Sequence, residues 1–307
     1  MKQKILLAPL QGYTDYCYRN AFDEIFGGVS TYYTPFLRVE RGTTRNRDVF
    51  GIKEENNKVA NLVPQIMAGS SDEFDLLLGV LKENGYSTVD INIGCPYPMI
   101  VKKQRGAGIL SFPDKVDELL ANTQRYPEIA FTVKMRLGME RPDECLTLLP
   151  LFEKYGIKQV TMHARLGVQQ YKGEVDMEAF KAFYDACSLP LVYNGDIQTL
   201  ADIERIAEQF PKLEGIMVGR GLLAHPELAK EYQSGKTLTD AERMTLYSRF
   251  HSAMYNHYQE RLNGGEPQIL DKMKEFWEYF YPELDRKRRK AIKKATSVAK
   301  YEAAIVF

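Results

Sequence analysis

The chain has 307 residues, with 41 Lys and Arg against 41 Asp and Glu, so its formal net charge is zero. Hydrophobic residues make up 44%, ordinary for a globular protein, and the length suits one large domain with a smaller one. No apolar run approaches the roughly 18 residues that span a bilayer, and the four cysteines (Cys17, Cys95, Cys145, Cys187) form no CxxC pair, which argues against a zinc site or a disulfide frame. Neither a secretory leader nor a metal centre is expected, and a reducing cytoplasm is the simplest setting.

Eight short runs, rich in β-branched or aromatic residues, predict strands. In chain order they are Lys4–Leu10, Val29–Phe36, Asn61–Met67, Thr88–Ile93, Phe131–Leu137, Gln159–Arg165, Leu189–Gly195 and Gly215–Arg220. Helical periodicity separates most of them. Between Asp72 and Gly85, Phe74, Leu77, Leu78 and Leu81 fall on one helical face. Pro142–Gly156 reads as a helix with a kink at Pro150, and Thr199–Phe210 as a helix capped by Thr199. Strands alternating with helices predict an α/β fold, a (β/α)8 TIM barrel. An open doubly wound sheet is the alternative, but no GxGxxG follows the first strand.

After the barrel the pattern turns all-helical. Thr239–Leu262 is continuous in period, the loop Asn263–Gln268 follows, and then come Ile269–Phe280 and Lys287–Ile305. The expected domains are therefore a catalytic barrel over 1–235 and a small helical domain over 236–307. Residues 241–307 hold 13 basic and 9 acidic side chains, a local net charge of +4. Seven of the nine residues in Arg286–Lys294 are basic, leaving only Ala291 and Ile292 to pack. A solvated helix face is the common reading of such a run. This one is dense enough to favour phosphate binding.

Polar residues gather where the predicted strands end. The first ends in Pro9, Leu10 and Gln11, the third near Gln65, and the fourth runs into Cys95. Lys134 and Arg136 lie on the fifth, and His163 and Arg165 on the sixth. Asn194, Gly195 and Asp196 close the seventh; Gly219 and Arg220 close the eighth. Singly, each has an ordinary structural explanation. Together they converge on the C-terminal mouth of a barrel, where active sites lie and where phosphate is held after the last strands. Residue chemistry alone reaches an oxidoreductase or phosphate-ligand barrel.

Seven motifs then carry a specific resemblance: LLAPLQGYTD, PQIMAG, VDINIGCP, VKMRLG, HAR with the following QYKG, NGDI and GRGLL. Their order and spacing, from Leu6 to about Ala224, resemble the tRNA-dihydrouridine synthases. The resemblance implies FMN as cofactor and NADPH (or NADH) as electron donor. It implies reduction of the C5–C6 bond of a uridine in tRNA, with rRNA as the other stable RNA to consider; a monomer is expected. Carried over, Pro9, Leu10, Gln11, Gln65, Lys134, His163, Asn194, Gly195, Asp196, Gly219 and Arg220 would hold the flavin. Cys95 matches the family's general acid. A thiol is mostly protonated at neutral pH, so it can give a proton, and nearby Lys102, Lys103 or Arg105 should not crowd it. Tyr97, Lys102, Arg105, Arg136, Arg165, Lys274, Arg288 and Arg289 are the expected RNA contacts. Tyr97 stands where relatives often carry a small residue, and Gln11 where they often carry Ala or Glu. Two other readings compete. A small-molecule dihydropyrimidine or dihydroorotate oxidoreductase would not need the basic helices. A non-catalytic RNA-binding protein would not need Cys95, Lys134 and His163.

Overall fold

The computed structural model describes residues 2–305 and 307. All eight predicted strands form. They are β1 (Lys4–Leu7), β2 (Thr31–Tyr33), β3 (Leu62–Val63 and Gln65–Ile66), β4 (Thr88–Ile93), β5 (Ala130–Gly138), β6 (Gln159–Leu166), β7 (Leu191–Asn194) and β8 (Gly215–Val218). Every pairing among them is parallel. β3 is split at Pro64, which has no N–H to give to a ladder. Its first half pairs with β2 and its second with β4, so the sheet closes on itself. Pro64 still contributes its carbonyl, which accepts from the Asp90 N–H at 2.9 Å.

Alternate residues point outward to the helices or inward to the barrel axis. The outward set, such as Val89, Ile91 and Ile93 of β4, joins the main apolar core. The inward set divides into two sectors. Leu6, Ala8, Tyr33, Val63, Val192 and Met217 form a separate apolar cluster from β1, β2, β3, β7 and β8. Across the barrel, β3 to β6 supply buried Gln65, Asp90, Thr132, Thr161 and His163. Register sets them in layers: Gln65 beside Asp90 beside Thr132, then Asn92 beside Lys134 beside Thr161.

The helices show why the sequence stops and starts where it does. Ser70 caps Ser71–Glu83 through the Glu73 N–H, and Thr199 and Asp202 form a capping box on Leu200–Gln209. Pro150 does not kink one helix. A 3-10 turn, Glu144–Leu148, ends there, and Pro150 sits in the first turn of a new helix, Leu149–Lys154, where its missing N–H is harmless. Thr239 and Glu242 box the start of Asp240–Arg261. The next helix begins at Gly265, inside the expected loop, because Pro267 is tolerated in a first turn. The stretch Lys287–Ile305 breaks into Arg286–Lys294 and Val298–Ala304, the second capped by Ser297.

The C-terminal helices share the barrel's core. Phe250, fully buried, packs edge-on against Tyr18 and Phe26 (both 5.3 Å between centroids) on the first barrel helix and its end. It also meets Phe276 and Phe280 of the following helix. Among the described residues no helix is long and apolar enough to cross a membrane. Phe250→Ala is expected to lower unfolding stability by about 3–5 kcal/mol, the range for a buried aromatic, as measured by denaturant unfolding. A loss below roughly 1 kcal/mol would show that the helices do not lean on this ring.

Candidate active site

A cavity opens at the C-terminal ends of the strands, lined by Pro9, Leu10, Lys134, His163, Asn194, Gly195, Asp196, Gly219 and Arg220. Nine of the eleven residues expected to hold a flavin therefore meet in one place. Gln65 and Gln11 stand apart. Gln65 is fully buried below the mouth, its amide bonded to Asp90 and Asn92. Gln11 lines a different hollow, with Tyr16 and Phe50, toward the C-terminal helices.

The cavity's polar groups hold one another in place. Lys134 Nζ donates to Asn194 Oδ1 at 2.9 Å, and Asn194 Nδ2 donates to the Met217 carbonyl at 2.8 Å. Asp196 takes two cations: buried Arg165, through Nη1 at 2.8 Å, and Arg220, at 3.3 Å. The Asn194–Asp196 turn needs a glycine in its middle. Gly195 has φ of 147°, and a Cβ there would come within 2.8 Å of Val175 Cγ1.

Burial and crowding of like charges set the protonation states. The Lys134 ammonium is brought down to about 8 by burial first and by Arg136 second, so it remains largely charged at neutral pH. His163 is pushed well below the usual imidazole range by burial and by four cations, Arg136, Lys134, Arg165 and Arg220. It is therefore neutral. Arg165 Nη1 lies 3.3 Å from His163 Nε2, and an arginine only donates, so Nε2 is the acceptor and the proton sits on Nδ1.

Cys95 lies on the rim beside this cavity, partly buried against Phe36, Met67 and Ile100. Burial raises its thiol above the ordinary range; the Tyr97 N–H, Arg136, Lys134 and Arg38 pull the other way. The thiol is thus held protonated. The opposing cations are not Lys102, Lys103 or Arg105. Arg136 ties the two regions together: its Nε donates to the Gly94 carbonyl at 3.0 Å and its guanidinium sits 5.3 Å from the Tyr171 ring. Tyr171 lines the cavity, is half exposed, and also receives Arg220 at 5.3 Å. The other thiols are ordinary: Cys17 and Cys145 are buried.

The expected RNA contacts separate into free and occupied groups. Tyr97, at 58% exposure, and Lys102 are open to solvent on the short segment after Cys95. Arg288 is exposed and Lys274 half-buried. Arg136 and Arg165 are almost fully buried at the mouth, where backbone carbonyls hold them. Arg105 pairs with Glu73 at 2.9 Å and lies where a side chain on Gly69 would be. Arg289 is a helix cap: its guanidinium donates to the carbonyls of Trp277 (2.9 Å), Phe280 (3.2 Å) and Tyr281. Those carbonyls end a helix and lack intrahelical partners, which is why a cation is held there. Asp90 and Asn92 were overlooked in the sequence. Their signal is visible: two polar residues at alternate positions of an apolar strand.

Fold and site together define a (β/α)8 barrel with a cation-lined mouth and a protonated thiol on its rim. The chain belongs to the dihydrouridine synthase (Dus) family, whose model matches residues 6–304. It is 28% identical to tRNA-dihydrouridine synthase B of Pasteurella multocida over 242 residues, covering 76% of this chain and 70% of that protein. It is 29% identical to tRNA-dihydrouridine(16) synthase of Pseudomonas syringae over 254 residues, covering 79% and 78%. Its fold is similar to an old yellow enzyme from Trypanosoma cruzi, with a TM-score of 0.54 at 12% identity over 81% of this chain and 93% of that one. An old yellow enzyme homologue from Zymomonas mobilis gives 0.53 at 10% identity, over 78% and 92%.

Asp90 supplies a pH test. Burial pushes its carboxyl up from 3.8 to about 6, against the hydrogen bonds of Thr132 and Gln65 and the charge of Lys134. A raised folded value means this group favours folding most below pH ~4 and loses that contribution as pH rises through ~6. Asp90→Asn is therefore expected to gain on the parent, by up to about 3 kcal/mol, between pH 4 and 6 in denaturant unfolding. A gap independent of pH would contradict the buried carboxyl.

Proposed function

We propose that this chain reduces the C5–C6 double bond of a uridine in tRNA to 5,6-dihydrouridine. The carrying observation, beside the family membership, is the placement of a protonated thiol on the rim of a cation-lined cavity. FMN is the proposed cofactor and NADPH the proposed electron donor. The residues present fit FMN in chemistry. The cavity is apolar at Pro9 and Leu10. It is cationic at Lys134 and Arg220, and Gly219, Arg220 and Gly221 line it at the start of a helix. When bound, the flavin supplies the hydride for C6 of the uracil.

The chain's own residues do the rest. Cys95 gives the proton to C5, for which it must stay a thiol until the reaction reaches it. Burial keeps it so. Lys134 places a positive charge against a developing anion, held by Asn194. Asp196 anchors Arg165 and Arg220 at the mouth. Tyr171, between Arg136 and Arg220, is a planar surface for the uracil at the entrance. The base must leave its stack to reach this depth, at a cost of a few kcal/mol that is least in a loop. Exposed Tyr97, Lys102, Arg288 and the other exposed cations of the basic helix are the surfaces for the RNA around it.

Cys95→Ala is expected to keep flavin bound and to slow dihydrouridine formation at least ~100-fold, the scale of lost general-acid catalysis. Single-turnover assays with reduced protein and unmodified tRNA measure this; an unchanged rate would remove Cys95 from the chemistry. Arg288→Ala is expected to weaken tRNA binding and flatten its dependence on log salt by about 0.7, one phosphate contact. Flavin reduction by NADPH should not change. Arg289→Ala should lower the melting temperature instead. Equal salt slopes in parent and Arg288→Ala would place the RNA elsewhere.

A further inference from the structure

A run of hydrogen bonds crosses the polar sector of the barrel and ends on the backbone of Cys95. Thr132 Oγ1 donates to Asp90 Oδ1 and Gln65 Nε2 to Asp90 Oδ2, both at 2.6 Å. Asn92 Nδ2 donates to Gln65 Oε1 at 2.7 Å. Asn92 Oδ1 accepts from the N–H groups of Gly94 (3.1 Å) and Cys95 (3.0 Å). Gln65 and Asp90 are fully buried, so water does not compete for either.

Two primary amides stand in this run. The oxygen and NH2 of an amide occupy almost the same volume, so shape does not choose which way it faces. The partner does. A carboxylate only accepts, so Gln65 must turn its NH2 to Asp90 and its oxygen to Asn92. Asn92 must then turn its NH2 to Gln65 and its oxygen to the turn. Reversed, Asn92 would set its NH2 against two backbone N–H groups, donor against donor. The far side of the turn is fixed independently: the Ala107 N–H donates to the Cys95 carbonyl at 2.8 Å. Gly106 has φ of 55°, and a Cβ there would fall 2.5 Å from that carbonyl. The turn is thus gripped on both sides, and only the Asn92 side depends on an orientable group.

We propose that Asp90 is a positioning residue that, through Gln65 and Asn92, fixes the turn presenting the Cys95 thiol. Its catalytic consequence rests on Cys95 being the proton donor; the positioning itself does not. Replacing Asp90 by Asn keeps the shape but adds a donor at this end. Both orientations of each amide then become available, and the turn loses its sole acceptor part of the time.

The test is a double-mutant cycle read by alkylation of Cys95 with iodoacetamide, quantified on its peptide, and by turnover. Asp90→Asn is expected to speed alkylation about tenfold, the effect of one lost hydrogen bond, and to lower kcat similarly with KM for tRNA within about twofold. In an Asn92→Asp background the same change should do nothing further. Either oxygen of an aspartate accepts from the turn, whichever way Gln65 faces. Coupling of this kind separates positioning from general loosening, which would act equally in both backgrounds. An alkylation rate unchanged by Asp90→Asn, or changed by the same factor in both backgrounds, overturns the proposal. If Asp90→Asn does not fold, Gln65→Met, close in volume and lacking both links, is used: faster alkylation supports the proposal and a parental rate overturns it. Alkylation needs neither flavin nor RNA, so its outcome is separate from that of the proposed activity.

Discussion

Asp90 is a carboxylate sealed inside a barrel, bonded to Thr132 and Gln65 and near enough to Lys134 to feel its charge. A group like this is unfavourable for stability, and barrels commonly fill such positions with Val, Ile or Leu. Here one half of the interior is filled that way, by Leu6, Val63, Val192, Met217 and their neighbours. The other half is polar from Gln65 to His163. The split orders much of the site. Cys95 leaves the end of β4, Lys134 and Arg136 rise from β5, and His163 and Arg165 from β6. Cation, neutral imidazole and thiol are brought to one mouth because adjacent strands share one polar register.

The same sector explains the protonation states. Several cations close together, with little water, lower one another's affinity for protons. Lys134 and His163 both move down for this reason, after burial. The thiol moves up, because burial outweighs the same cations. A charged lysine, a neutral histidine and an un-ionised thiol therefore coexist at neutral pH. Any bound anion would be received by Lys134 and Arg220, while Asp196 keeps Arg165 and Arg220 from repelling each other.

Much of this was legible in the sequence. Runs of β-branched residues and their spacing were enough for eight strands, since strands in a closed parallel barrel are buried on both faces. Glycine and strand-end polar residues located the mouth, as Gly195 and Gly219 illustrate. The resemblance gave eleven expected flavin contacts, and nine of those residues line one cavity. What the sequence did not disclose was what each cation is doing. Arg288 and Arg289 are adjacent and alike in sequence, yet one is exposed and the other closes the end of a helix through Trp277, Phe280 and Tyr281. Arg105 looked like a loop cation and is paired with Glu73. Partners distant in sequence decide such roles, and periodicity does not contain them. The sequence marks the helical segment as a small domain but not how it docks: Phe250 packs it against Tyr18 and Phe26 of the first barrel helix and its end.

The most direct test of the central claim is a mass-spectrometric map of dihydrouridine in all stable RNAs, from cells with and without this gene. The expected result is loss at defined tRNA positions, restored by the parent chain and not by Cys95→Ala. Unchanged dihydrouridine at every position, or full restoration by Cys95→Ala, would contradict a barrel that reduces tRNA uridine with this thiol as its acid.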